Sequence, residues 1–459
     1  MEISYRLVIF GLALWLCGDV SLRGVTPVDL AQLRKQLVVA EEAGDKPAII
    51  ELNRRIVAVV PNDSHAWENI VQGQFEIEDY DRVAETLEAW QKAVKRPPAA
   101  IEHFRGDLAV KLKDYANAER HWLAFLARKP SPGDAAAIYD KLASLCADQS
   151  RWADCASYDA KAIAAKDSAS RRVARACVLL RLRQWDAAYA EIAKANKIDS
   201  TDNEVKTWLP QFERLEEFLP QIRALDVQIA KSPNDSALLL DRARLFTLAE
   251  RPRLALDDCE QAMKLQPASM RARIQNGEAL FDVGQPDDAA KLQISSNLAR
   301  GKDKHVSDQA LRELSNEDTQ IAQDSGNAEP LAARAKTLRD LRQLPLALVD
   351  ARAALAIDDK LAAAHFEAAH DLDALDQSKE ALIHAVKATE LNPNDGAAWY
   401  YRGVLEAGRA DFPAAIESLT RSLKLGETLE ALRKRENCQR RIGRIDNANA
   451  DLKRIRELE

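Results

Sequence analysis

The chain has 459 residues and a formal net charge of −7; 47% of the residues are hydrophobic and 30% charged, with only 16 Gly and 17 Pro. That composition excludes a disordered or collagen-like chain and suits a folded, helix-rich protein. The acidic balance, with no continuous basic stripe to displace phosphate counterions, excludes a nucleic-acid binder.

In chain order, the first feature is an unbroken apolar run from Leu7 to Cys17, preceded by Arg6 and followed by Gly18 and Asp19. The run is too short to span a bilayer comfortably and matches the core of a secretory leader. Residues 1–24 therefore read as a signal peptide or a short membrane anchor, and the protein as exported, periplasmic or otherwise extracytoplasmic. Glu2 offsets Arg6 and no clean small-x-small cleavage site follows, which keeps the anchor open. Trp15 and Leu16 before Cys17 lack the small residue that bacterial lipoprotein processing usually needs, which leaves a lipidated Cys17 as a lesser alternative. Any association with a membrane would run through this segment.

Residues 25–202 carry amphipathic helix pairs. The sequence Pro61-Asn62-Asp63-Ser64 ends one apolar-periodic run and opens the next, and it recurs as Pro233-Asn234-Asp235-Ser236 and Pro393-Asn394-Asp395-Gly396. Proline stops the earlier helix, and Asn, Asp or Ser accepts hydrogen bonds from the free amides of the new one. Pro47, Pro252, Pro286, Pro345 and Pro413 fall where second helices begin, a place that tolerates a missing donor. Residues 203–235 break the pattern: Pro210 and Pro220 interrupt an aromatic, leucine-rich helix, read as a packed helical joint with an exposed apolar face as the alternative. Two further pairs follow over 236–303, an irregular single helix over 304–327, three pairs over 328–429 and capping helices over 430–459. In that cap, Arg433, Arg435, Arg440 and Arg454 interleave with Glu436, Asp451 and Glu457, the pattern of a solvated surface.

The two breaks are related. At an offset of 92 residues, Asp226, Arg242, Ala243, Asp258 and Ala262 match Asp318, Arg334, Ala335, Asp350 and Ala354, which points to duplication of a block holding one odd helix and two ordinary pairs.

Regularity is strongest over 328–429. At a spacing of 34 residues, small side chains recur as Ala335, Ala369 and Gly403, as Ala347, Ala381 and Ala415, and as Ala354, Ala388 and Ser422. Trp399 and Gly403, then Phe412, Ala415, Leu419 and Leu423, complete the last window. With these residues at these places the chain resembles the tetratricopeptide repeat family, in about eleven repeats, several of them degenerate. The resemblance implies an all-α fold, a right-handed superhelical α-solenoid of stacked helix-turn-helix repeats. It implies a protein that works by holding other proteins.

Proteins of this family line their concave groove with positions 2, 5, 9 and 12 of each first helix. Carried onto this sequence, those positions hold Arg271, Ile274, Glu278 and Phe281; Glu329, Ala332, Lys336 and Arg339; Ala363, Phe366, His370 and Asp373; and Ala397, Tyr400, Val404 and Ala407. Arg271, Phe281, Lys336, Arg339, Phe366, His370 and Tyr400 are the candidate peptide-binding residues, with rings for contact area and cations for acidic groups. No window has the Lys and Asn clamp by which some relatives hold a C-terminal carboxylate. Cys146, Cys155 and Cys177 fall close together in the stack, Cys155 where the family places alanine. They read as small buried residues, with a Cys146–Cys155 bridge as the alternative in an oxidising compartment.

No HExxH, P-loop, GxSxG, GxGxxG, EF-hand or CxxC spacing occurs, and the seven histidines form no metal-ligand pattern. The expected function is a non-enzymatic protein-protein interaction scaffold without cofactor or metal, its partner an extended peptide or a helix. A non-catalytic regulatory or substrate-capturing subunit of an envelope-associated enzyme complex is the second reading.

Overall fold

A computed structural model describes residues 27–296, 298 and 305–459; the apolar run at 7–17 lies outside the described residues. Among the described residues there are 24 helices and no strand, in two compact units that meet in sequence at Leu209 and Pro210. The first unit holds the hairpins α1 (Pro27–Ala43) with α2 (Lys46–Val59), α3 (Ser64–Glu76) with α4 (Tyr80–Ala93), α5 (Ala100–Lys111) with α6 (Tyr115–Ala127), α7 (Pro132–Asp148) with α8 (Trp152–Ala165), and α9 (Ala169–Arg181) with α10 (Trp185–Ile198). The single helix α11 (Asn203–Lys231) carries the boundary. In the second unit follow α12 (Ser236–Leu248) with α13 (Pro252–Leu265) and α14 (Met270–Asp282) with the short α15 (Pro286–Lys291). Next come the single α16 (Asp308–Gln323), α17 (Glu329–Asp340) with α18 (Leu344–Ile357), α19 (Ala362–Ala374) with α20 (Ser378–Leu391), α21 (Gly396–Gly408) with α22 (Phe412–Leu425), and α23 (Leu429–Arg441) with α24 (Ile445–Leu458).

The hairpins share one turn. In each of the eleven, a single residue between first and second helix takes a left-handed backbone, from Gly44 through Glu78, Lys113, Ser150, Arg183, Glu250, Gly284, Arg342, Asp376 and Ala410 to Gly443. The helix end is closed by backbone bonds across it, such as Ala410 N to Ala407 O and Asp411 N to Glu406 O, both 3.0 Å. Eight of these residues are not glycine, so each stores strain of about 1 kcal/mol. Ala410→Gly should therefore raise stability by about 0.5–1 kcal/mol, seen as a higher urea midpoint; an unchanged or lower midpoint would show that the turn is unstrained.

Caps set the entries. Asp63 accepts from Ala66 N at 3.1 Å, Asp235 from Ala237 N at 3.0 Å and Asp395 from Ala397 N at 2.9 Å. Trp67 and Trp399 reach back from their helices to donate to the carbonyls of Pro61 and Pro393, at 3.0 and 2.9 Å. Pro47, Pro252, Pro286, Pro345 and Pro413 all sit in the first turn of second helices. The 34-spaced small residues lie at the helix crossings: Ala335, Ala369, Ala347, Ala381, Ala415 and Ala354 have no exposed surface. A Cβ on Gly403 would stand 2.7 Å from Leu419 Cγ. Larger side chains there would push the helices apart.

The duplicated block has a structural signature. Arg242 grips Asp258 with two hydrogen bonds of 2.8 Å and reaches Asp226 at 2.6 Å. Its counterpart Arg334 grips Asp350 at 2.7 and 2.9 Å and Asp318 at 2.8 Å. Each arginine is buried between a second helix and the end of a single helix, α11 or α16, and so fixes how the odd helix meets the regular stack. Arg435 holds Asp451 in the same two-pronged way, at 2.9 and 2.6 Å, inside the last hairpin.

Two expectations are corrected. Pro210 and Pro220 do not interrupt a helix; both lie inside α11, which is continuous over 29 residues. Phe212, Leu215, Leu219 and Ile222 form its buried face, and that packing offsets the lost backbone bonds, in line with the packed-joint reading. The Cys146–Cys155 bridge is not formed: both are free, buried thiols. They pack in one small cluster with Ala143, filling places that alanine would fill. Burial, then the neighbouring Asp159 carboxylate, pushes the Cys155 thiol up to about 12.

Candidate functional site

An open concavity lies in the first unit, a groove of about 600 Å³ crossing three consecutive first helices. α3 presents Gln72 and Phe75, α5 presents His103, Phe104, Asp107 and Val110, and α7 presents Lys141, Ser144 and Leu145. Trp122 enters from the second helix α6 because Gly106 lets it: a Cβ on Gly106 would collide with the indole Cδ1 and Nε1. The indole then donates to Asp107 Oδ1 at 3.1 Å.

On the groove floor Lys141 Nζ donates to both Asp107 oxygens, at 2.7 and 2.8 Å, and approaches His103 Nε2 at 2.9 Å. A lysine ammonium has only protons to offer, so His103 is neutral with Nε2 as acceptor. Burial holds the imidazole below its ordinary range; the pull of Asp107 opposes it, and the smaller effect of the Lys141 charge adds to it. His103 lies stacked on Phe104, with ring centroids 5.4 Å apart. Lys141 thus fills the acceptor of His103, and the Asp107 carboxylate is shared between Lys141 and Trp122. Around this cluster Phe75, Phe104, Val110 and Leu145 provide apolar walls.

The candidate peptide-binding residues from the sequence all belong to the second unit, and the structure does not assemble them into one trough. Arg339, Phe366 and His370 come together. Arg339 forms an ion pair with Glu367, Phe366 packs edge-on to His370 at 4.7 Å, and His370 stacks on Tyr401 at 3.4 Å. Tyr401 in turn donates to Asp373 at 3.0 Å. Burial, then the Arg339 charge, pushes His370 down to about 3, so it too is neutral. Lys336 is exposed. Tyr400 instead packs against the core of the α22 and α23 region, beside Ala415 and Leu419.

Arg271 and Phe281 do not line an open groove, and this corrects the expectation. α16 lies over α14: Asp318 accepts from Arg271 N at 3.0 Å, and Glu278 accepts from Val306 N at 2.8 Å. Leu311 and Leu314 share a core cluster with Ile274, with Phe281 packed against it. The Arg271 side chain is spent on Asp241, 2.5 Å away. The chain's own odd helix occupies what a regular array would leave for a ligand.

No protein-family description and no curated protein matches the sequence. Among solved structures the chain is similar to YrrB, described as a TPR protein with an unusual peptide-binding site, at 19% identity over 46% of this chain and 96% of that one, with a TM-score of 0.28. It is similar to the Cut9–Hcn1 hetero-tetramer of the APC/C at 12% identity over 98% of this chain and 95% of that one, TM-score 0.28. PilF of Pseudomonas aeruginosa aligns at 13% identity over 49% of this chain and 91% of PilF, again with a TM-score of 0.28. Likeness at that level carries no functional argument, and the architecture rests on the chain's own hairpins, turns and small-residue crossings. On that evidence each of the two units is an all-α stack of helix-turn-helix hairpins, similar to the tetratricopeptide-repeat fold.

Proposed function

We propose that the chain is a non-enzymatic interaction scaffold that holds an extended segment of a partner protein in the groove of its first unit. The observation that carries the reading is the open groove itself, with apolar walls set around the Asp107–Lys141–His103 floor. Neighbouring helices pack about 8–10 Å apart, so three first helices offer about 20–30 Å, the length of six to nine extended residues. Phe75, Phe104 and Leu145 receive an apolar anchor, and the polar floor meets backbone amide and carbonyl groups. Work outside the cytoplasm is part of the same proposal and rests on the apolar run at 7–17.

Gln72 and Ser144 are exposed on opposite sides of the groove. A photo-crosslinking amino acid placed at either position in the full chain should trap the same segment of the same partner, and one placed at the exposed Val349 of the second unit should not. Unrelated adducts from Gln72 and Ser144, or the same adduct from all three positions, would refute the assignment.

A further inference from the structure

The second unit carries another concavity, of about 560 Å³, on its second-helix side between α20 and the turn that joins α21 to α22. Leu382, Ile383 and Val386 of α20 form its apolar part. Ile383 is 68% exposed, an unusual position for a large β-branched side chain in a helix whose other apolar residues are packed. Val349, the equivalent residue one repeat earlier, is 61% exposed, so the same register opens on the preceding second helix too. Leu382 packs partly against the core beneath.

Charge surrounds this ridge asymmetrically. Lys379, Lys387 and Arg409 border the concavity against a single acid, Glu390, which lies 4.0 Å from Lys387. Lys379 and Arg409 make no ion pair among the described residues, and both are exposed. In a chain of net charge −7 this is a local reversal of sign. Residues 379, 382, 383, 386, 387 and 390 follow helical spacing, so the stripe runs straight for about 16 Å, three turns. A straight apolar stripe edged by cations fits a partner helix with an apolar stripe and acidic flanks.

We propose that this face docks an acidic amphipathic helix of a second partner protein, independently of the groove in the first unit. The full chain is titrated into a fluorescein-labelled helical peptide carrying Leu at i, i+3, i+4 and i+7 with Glu on both flanks, and into the same peptide with Lys flanks. The Glu-flanked peptide should bind saturably and at least tenfold tighter, with affinity falling as salt rises. Ile383→Asp and Lys387→Glu should each weaken it at least tenfold while leaving helical circular dichroism unchanged; should one fail to fold, the other decides. Equal binding of the two peptides, no saturable binding, or insensitivity to both substitutions would overturn the proposal. So would Ile383-dependent capture on phosphatidylglycerol vesicles, which would make the face a membrane contact. An Ile383-dependent dimer in sedimentation would overturn it in favour of a second copy of this chain.

Discussion

Replacing Arg334 with leucine should lower the unfolding free energy by about 3–5 kcal/mol. The guanidinium is almost fully buried, and its three hydrogen bonds neutralise Asp350 and Asp318, themselves 6% and 12% exposed. Removing it leaves Asp350 without its partner and Asp318 with only the Ser269 hydroxyl and the Arg271 amide, in a space that water enters poorly. Most of the cost is theirs, so combining Arg334→Leu with Asp318→Leu and Asp350→Leu should recover part of the stability, less the bonds that Asp318 accepts from Ser269 and Arg271. Urea unfolding of the single and triple variants measures both effects. A single variant within 1 kcal/mol of the parent, or a triple variant no better than the single, would show that the triad does not hold α16 to the stack as described.

Asp371 should make the second unit less stable as pH rises. It has no exposed surface, and neither carboxylate oxygen has a hydrogen-bond partner. Burial dominates; the Glu367 and Asp350 charges add to it and Arg339 opposes it, leaving the carboxyl pushed up to about 8. An acid whose folded pKa is raised contributes its full stability below the unfolded value near 4 and loses it as pH climbs to the folded value. Between those limits the unfolded chain gives up the proton and the folded chain keeps it, at about 1.4 kcal/mol per pH unit, on the order of 5 kcal/mol in all. Asp371→Asn carries no titrating group there. Urea midpoints at pH 4, 6 and 8 should agree at pH 4 and then diverge, with the variant increasingly more stable. Parallel curves would mean that the parent's carboxylate is solvated or paired.

Much of the scaffold was legible in the sequence because it is made locally. Caps such as Asp63 and Asp395, first-turn prolines and the 34-spaced alanines each act within one hairpin or between neighbours, and all appear where the pattern placed them. The offset of 92 was legible too, and its matched Asp226, Arg242 and Asp258 proved to be one ion cluster with a copy at Asp318, Arg334 and Asp350. The open groove was not legible, for two physical reasons. Nothing local in residues 308–323 says that Leu311 and Leu314 will settle on Ile274; that is a tertiary choice. And in the first unit the small-residue markers Gly106 and Ala143 stand 37 residues apart, so the 34-residue phase slips. Had positions 5 and 9 been carried back through that slip, they would have reached His103 and Asp107, and positions 9 and 12 of the preceding window would have reached Gln72 and Phe75. The choice of Tyr400 over Tyr401 is a smaller error of the same kind, because one residue turns a side chain by about 100° around a helix.

The central claim is that the groove of the first unit holds the partner segment. Random dodecamer peptides selected for binding to the full chain, then measured on Gln72→Trp and Ser144→Trp, test it most directly, since these exposed sites allow the groove to be filled without touching the core. The account predicts selected peptides with spaced apolar anchors whose affinity drops at least tenfold on either variant. Peptides that bind both variants as tightly as the parent would place the binding surface elsewhere.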